Sequence, residues 1–402
     1  MVNNFNMDID ILKNSFQASV IPALYFGEGS LSSLDKIINS YNGKCGALFT
    51  GKSFLKNSIF FEKINKTFKE KNIKIITVEI PGEPSPDNID NAVKEMRSNN
   101  VSFVVAIGGG SVVDAGKAAS IMAMQDGSIK EYLEGVGTKA LKGAKLPFIA
   151  VPTTSGTGSE ATKNSVISAV GDNGFKKSLR HDIMVSDYAI IDPALLVLCP
   201  PTVTAWSGMD AVTQLIESYV STKATIFTDS LAAPALEIAG KALPLAFSDG
   251  KNIQARSGMA WAAYVSGITL ANAGLGVVHG LASPAGGYTT VPHGVICGTL
   301  IANATRYIID KLFDTDPKAP GLKKYAKASA LLTGKEYSNI KDSCNALVDL
   351  LTKWTLDFNI PLLKNYGFDE ALVKKTAKIS DGKNSPVKLD TDDIFKIIME
   401  RV

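Results

Sequence analysis

The sequence predicts an α/β domain followed by an all-α domain, and three observations predict it. Up to about residue 190, short apolar runs alternate with helix-compatible stretches in the rhythm of βαβ units. Beyond Asp192-Pro193, Ala, Leu and Met increase, strand-like alternation fades, and helical patterns dominate to Val402. At 402 residues the chain exceeds what one hydrophobic core normally sustains, so two domains are expected, 1–195 and 196–402, meeting near Asp192 or the Pro200-Pro201 turn.

Ala23 to Phe26 reads as a short strand closed by the Gly27-Glu28-Gly29 turn, with Leu31 to Tyr41 an amphipathic helix. Gly46 to Thr50 is a strand ending at Gly51, Lys52 to Lys71 a helix, and Ile73 to Ile80 the next strand. The proline-rich turn Pro81 to Pro86 precedes a helix over Asp87 to Asn99. Val101 to Ile107 is almost continuously apolar, as suits a central parallel strand covered on both faces. It runs into Gly108-Gly109-Gly110-Ser111 and a helix over Val112 to Met124.

Lys145 to Val151 gives a further strand before the loop Pro152 to Glu160. Asn164 to Val170 and Tyr188 to Ile191 are expected as antiparallel additions, with Gly171 to Arg180 an exposed connection between them. In the second half, Ala205 to Val220, Thr228 to Leu245, Ile253 to Ala273, Val295 to Ile309, Gly321 to Ala330, Glu336 to Phe358, Pro361 to Tyr366, Glu370 to Lys378 and Thr391 to Arg401 are expected as helices. A glycine-bracketed turn region carries His279, and Asp314 to Lys318 reads as a solvated loop.

Composition narrows the class. With 45% hydrophobic and 20% charged residues and a formal charge of +3, the chain reads as a soluble enzyme or binding protein without a nucleic-acid footprint. Cys45, Cys199, Cys297 and Cys344 are scattered, which argues against a disulfide framework and for a reducing, cytoplasmic setting. The start MVNNFNMDID lacks a positive n-region and a long apolar segment, and runs such as Ala260 to Leu270 are short for a membrane span.

Two loops point to phosphate chemistry. Glycines at 108–110 permit close backbone approach, and the first turn of the following helix offers free amides and a positive dipole end, with Ser111 adding a hydroxyl. GGGS alone could equally be a plain turn. Thr153, Thr154, Ser155, Thr157 and Ser159 form a second hydroxyl-rich loop after another strand; taken singly it could be a flexible surface loop, but paired with the first it suggests a pyrophosphate and ribose crevice. Asp114 either orients a ligand or caps and pairs with Lys117.

Only three histidines occur, and His279 and His293 lie fourteen residues apart, each followed by glycine. Asp210 and Gln214 are one helical turn apart, with Glu217 nearly in line. This trio suits either a solvent-facing helix surface or a catalytic cleft. In the cleft, Asp210, His279 and His293 would be three sound ligands for Fe(II) or Zn(II), and the Gln214 amide a weaker fourth. His181, between Arg180 and Asp182, reads as a surface residue.

The linked motifs FGEGS (26–30), AIGGGSVVDAGKAA (106–119), VPTTSGTGSEAT (151–162), IDP (191–193), SGMDAVTQLIESYVS (207–221) and GVVHGLASPAGGYTTVPHG (276–294) make the chain resemble the iron-containing alcohol dehydrogenases. The resemblance implies a dehydroquinate synthase-like architecture, with an α/β dinucleotide-binding domain, an all-α metal and substrate domain, and the site in the cleft between them. It implies coenzyme contacts from Gly109, Gly110, Ser111, Asp114, Thr153, Thr154, Thr157 and Ser159. It also implies a metal held at Asp210, Gln214, His279 and His293, with Fe(II) expected first and Zn(II) as the alternative, and a homo-oligomer.

Three positions depart from the family's pattern. Gln214 stands where a histidine ligand is expected, Ser283 where many relatives have histidine, and Cys297 where asparagine is common. Ser283 can take part in a proton relay but cannot titrate near neutrality as histidine does. Gly51 occupies the place after the second strand where NAD-preferring relatives carry an acid, with Lys52 and Ser53 beside it, so NADP(H) is expected over NAD(H). The expected activity is reversible, metal-assisted hydride transfer between the coenzyme and an alcohol or carbonyl, with Asp210, His279, His293 and Ser283 at the reacting centre. The alternatives are a metal-independent reductase of a charged carbonyl compound and a noncatalytic nucleotide-binding protein.

Overall fold

The computed structural model describes residues 15–41, 43–52, 59–171 and 174–402. The chain start, Ser53 with the early part of the helix expected from Lys52, and two residues of the expected 171–180 connection lie outside the described residues. The α/β domain runs β1 (Ala23–Phe26), α1 (Ser33–Asn39), β2 (Cys45–Thr50), α2 (Ile59–Glu70), β3 (Lys74–Glu79), α3 (Pro86–Ser98), β4 (Phe103–Gly108), α4 (Gly110–Met122), β5 (Phe148–Pro152), β6 (Asn164–Ala169), β7 (Phe175–Arg180) and β8 (Tyr188–Ile191). The helical domain follows with α5 (Pro193–Leu196), α6 (Pro201–Tyr219), α7 (Ile226–Ser248), α8 (Ile253–Ala273), α9 (Val277–Tyr288), α10 (His293–Thr315), α11 (Pro320–Thr333), α12 (Ile340–Asp357), α13 (Glu370–Lys378) and α14 (Thr391–Met399).

Six strands form one parallel sheet in the order β1-β8-β5-β4-β2-β3. Every residue of β2, β4 and β5 is buried, which is why these strands read as unbroken apolar runs. Two expectations change here. Tyr188–Ile191 is a parallel strand inside the sheet, between β1 and β5, and not an antiparallel addition. Phe175–Arg180 is not an exposed connection but a strand, paired antiparallel with β6. Its sequence FKKSLR hides it, because a buried Lys176 puts charge on both faces.

In the helical domain α6 is the central element, buried without interruption from Gly208 to Tyr219. Met209, Val212, Leu215 and Ile216 are at most 1% exposed, and full burial of such side chains stabilises by about 1.5–3 kcal/mol each. That apolar hold is what keeps Asp210, Gln214 and Glu217, also buried, away from water; the solvent-facing alternative for the trio is wrong. The turn region around His279 is in fact helix α9. Three glycines and Pro284 disfavour it locally, but Val277, Val278, Leu281, Ala282 and Ala285 bury in the domain core and override propensity. Among the described residues no single helix is long and apolar enough to cross a membrane.

Candidate active site

The chain leaves β2 toward β3 on one side and returns to place β4 on the other, so the sheet's direction of winding switches between these two strands. Crevices at such points, outside the carboxyl ends of the strands, take nucleotides. Here Gly51 and Lys52 follow β2, and Gly109, Gly110 and Ser111 follow β4. They line one cleft of about 690 Å³ with Thr154 and Thr157, and Asp210 and His293 reach it from the helical domain. No side chain caps the start of α4, so its first amides are open to an anion. A Cβ at Gly110 would stand 2.5 Å from Thr157 Oγ1, so only glycine lets the two loops approach this closely.

The second loop is fixed on both sides. Lys117 Nζ, buried in α4, donates to the carbonyls of Ser159, Thr162 (3.0 Å) and Asn164 (2.8 Å). Gly158, at φ +58°, lies backbone to backbone against Gly267 of α8, where an added Cβ would meet Gly158 O at 2.2 Å. This is no flexible surface loop. Asp114 accepts from Ser159 Oγ and from the Val166 amide at 2.9 Å, and the alternative ion pair with Lys117 does not form within 4.0 Å among the described residues. Burial pushes the Asp114 carboxyl up and lowers Lys117 to about 8. Thr153 donates its amide to Gly108 O at 2.9 Å and lines neither this cleft nor the cavity below.

Deeper in, four side chains converge. His279 Nε2 is 3.3 Å and His293 Nε2 3.5 Å from Asp210 Oδ1, while Cys297 Sγ is 3.7 Å from each Nε2. All four donor atoms lie within 4.8 Å of one another. Glu217 accepts at 2.7 Å from the Nδ1 side of His279 and at 2.7 Å from the Val278 amide, which turns Nε2 toward the centre. The glycine after each histidine has a steric reason: a Cβ at Gly280 would meet Asp381 O at 2.0 Å, and one at Gly294 would meet Trp206 O at 2.4 Å.

A carboxylate, two imidazoles and a sulfur converging on one buried point suit a divalent transition metal. Burial works against ionising Asp210, but His293 and His279 outweigh it and hold the carboxyl well below its usual range. His279 is raised well above its ordinary value, burial notwithstanding, by Cys297, Asp210 and Glu217. Burial lowers His293 to about 4 and raises the Cys297 thiol to about 12. Gln214 Oε1 accepts from Ser266 Oγ at 3.2 Å.

A second cavity of about 450 Å³ adjoins the cluster and is lined by Gln214, His279, Ser283 and His293, and also by Asp114 and Ser159. Lys176, Arg180, Lys223 and Lys383 also line it; Glu83 pairs with Lys176 and Glu134 with Arg180. Ser283 follows His279 by one turn of α9, so both face this space. His181, partly buried, caps a short 3-10 turn by accepting from the Ile183 amide at 3.2 Å and lies outside both cavities. Sequence reasoning gave Cys297 no role and Glu217 no partner. The missed signal was the i, i+4 spacing of His293 and Cys297, masked because the helix was expected to begin only at Val295.

Residues 22–193 match the family model "Iron-containing alcohol dehydrogenase", and residues 204–402 match "Fe-containing alcohol dehydrogenase family, C-terminal". The chain is 31% identical over 360 residues to long-chain-alcohol dehydrogenase 1 of Geobacillus thermodenitrificans, covering 89% of this chain and 88% of that protein. It is 34% identical over 326 residues to a 1-propanol dehydrogenase of Citrobacter freundii, 81% and 80% covered. Among solved structures it superposes on a 1,3-propanediol oxidoreductase with a TM-score of 0.86 at 27% identity, over 97% of this chain and all of that one.

Proposed function

The chain belongs to the iron-containing alcohol dehydrogenase family, and from that premise we propose that its α/β domain, 1–195, binds NADP(H) in preference to NAD(H), and its helical domain, 196–402, holds a divalent ion and the substrate. Its reaction is the interconversion of an alcohol and an aldehyde or ketone with a nicotinamide coenzyme. The observation that carries the site assignment is the convergence of Asp210, His279 and His293 on one point, with Asp210 and His293 also lining the glycine-lined cleft.

When bound, the ion supplies Lewis-acid polarisation of the substrate oxygen and the coenzyme supplies the hydride acceptor or donor. Asp210, His279 and His293 would hold the ion, iron in the first instance and zinc as the alternative. Gln214 stays beside them as the weakest of the expected ligands. Gly109, Gly110 and Ser111 receive the pyrophosphate at the start of α4, Thr154 and Thr157 position the ribose side, and Thr153 supports their loop from behind. Asp114 and Ser159 fix one another and the wall nearest the nicotinamide. Ser283 is the hydroxyl through which a proton passes toward water. Buried Cys199, Cys297 and Cys344 support a reducing, cytoplasmic setting, and we also propose a homo-oligomer, which light scattering on the purified protein would test.

The test is metal analysis of protein purified without added metal, followed by chelation, restoration and a broad aldehyde screen read by NADPH consumption. Activity should disappear with the ion and return with it. Full turnover after verified metal removal overturns the metal-assisted reading and leaves the reductase of a charged carbonyl. Stoichiometric coenzyme and metal binding with no turnover on any alcohol or carbonyl leaves the noncatalytic one.

One observation favours a charged substrate even with the ion in place. Lys223 and Lys383 line the second cavity without a carboxylate partner within 4.0 Å among the described residues. Lys383 Nζ donates to His279 O at 2.9 Å, which sets it beside the cluster. Aldehydes bearing an acidic group should therefore show a lower KM than neutral ones of equal length. Lys383→Ala should remove that advantage; equal KM values in the native enzyme refute it.

A further inference from the structure

We propose that Cys297 is the fourth protein ligand of the metal centre, taking the place that Gln214 leaves vacant. The inference rests on the proposed metal site and adds to it a sulfur donor that the family's aspartate and three histidines lack.

Distances carry it. Bond lengths of about 2.0–2.1 Å to nitrogen or oxygen and about 2.3 Å to sulfur set the edges of a tetrahedron at about 3.4 Å between light donors and about 3.6 Å from light donor to sulfur. Here the two Asp210–histidine edges are 3.3 and 3.5 Å, and the two cysteine–histidine edges are both 3.7 Å. Four of six edges thus fit one ion. The two donors on α10 are brought together by helix periodicity, since His293 and Cys297 are one turn apart.

Gln214 is the weaker candidate for the fourth position. Its amide reaches Ser266 Oγ at 3.2 Å, and a neutral amide is a poorer donor to a transition metal than an imidazole or a thiolate. Two chemical consequences follow from exchanging an imidazole for a thiolate. The aspartate and cysteine charges together balance a divalent ion, so its pull on the substrate oxygen is weaker than with one carboxylate and three neutral imidazoles. The softer donor also shifts preference from iron toward zinc.

The experiment replaces the native ion with Co(II) in the full-length protein and records its absorption spectrum alongside metal stoichiometry. The native sequence should bind one cobalt with a near-ultraviolet thiolate-to-cobalt charge-transfer band and the visible bands of a tetrahedral ion. Cys297→Ser should lose the charge-transfer band while still binding cobalt, and Gln214→Ala should keep it; Cys45, Cys199 and Cys344, outside the cluster, serve as internal controls. One bound cobalt without a charge-transfer band, or a band that survives Cys297→Ser, overturns the cysteine assignment and leaves the metal site standing. No bound cobalt in the native sequence overturns both.

Discussion

Glu217 meets His279 Nδ1 at 2.7 Å with one carboxylate oxygen and takes the Val278 amide at 2.7 Å with the other. One side chain thus fixes both the ring and the backbone of the first turn of α9. The consequence is a fixed orientation: Nδ1 is engaged by Glu217 and Nε2 is presented to Asp210 and Cys297. Removing such a partner typically costs about 10–100-fold in metal affinity. Glu217→Ala should fall near the upper figure and Glu217→Gln, which can still accept from Nδ1–H, near the lower one. Competition against a calibrated chelator measures it, and unchanged affinity in Glu217→Ala would show that the ring is held by packing alone.

The contact between Gly158 and Gly267 is where the hydroxyl-rich loop after β5 rests on helix α8. No Cβ fits at either position, because each would stand within 2.3 Å of backbone atoms across the contact. Backbone cannot rotate away as a side chain can. Gly267→Ala should therefore cost about 1–3 kcal/mol of stability and also raise KM for coenzyme, since the loop carrying Thr154 and Thr157 must shift. Denaturant midpoints and coenzyme titration read the two effects. Loss of stability without a change in coenzyme KM would separate the loop's anchoring from its binding role.

What was legible in the sequence follows from how each feature is encoded. β2, β4 and β5 announce themselves because a strand buried on both faces has no polar positions, and the glycine turn after β4 has no use in a strand or a helix interior. Asp210 and His279 were legible as chemistry, and α6 as a helix. Three features were not. α9 is stabilised by tertiary burial that its own glycines and Pro284 contradict; β7 conceals a buried lysine whose partner, Glu83, is ninety-three residues away; and β8 is too short, at four residues, to declare its direction. Cys297 was visible as a residue but not as a donor, because its nearness to His279 exists only once α9 and α10 pack.

Glu160 predicts a pH effect on stability. It is 4% exposed in the fixed second loop, and burial raises its carboxyl from the ordinary 4.5 to about 7, with only partial relief from its own backbone amide and Lys117. A folded-state value above the unfolded one means that the native protein binds more protons between these limits. The contribution is present below pH 4.5 and is lost as pH rises through 7. Glu160→Gln lacks this loss, so relative to the native sequence it should gain about 1–3 kcal/mol at pH 8 and nothing at pH 4. The figure is reduced because the substitution also takes a negative neighbour from Lys117. Equal pH profiles for the two proteins would mean that Glu160 is ionised in place at neutral pH.

Lys52 follows Gly51 at the carboxyl end of β2, exposed on the glycine-lined cleft, and the buried Asp210 is the one carboxylate among the described residues that line it. A dinucleotide laid across the switch point with its pyrophosphate on α4 brings its adenosine ribose to the carboxyl end of β2. A 2′-phosphate there meets an ammonium group and no repelling acid, whereas unphosphorylated ribose hydroxyls find no carboxylate to accept from them. The ratio of kcat/KM for NADPH to that for NADH should therefore exceed one. It should fall about 5-fold in Lys52→Ala, and the fall should shrink as salt is added, since an exposed pair is screened. Gly51→Asp should reverse the preference outright, because it both repels the phosphate and supplies the missing acceptor for ribose. Comparable efficiencies with the two coenzymes in the native enzyme would refute the preference, whatever the variants do.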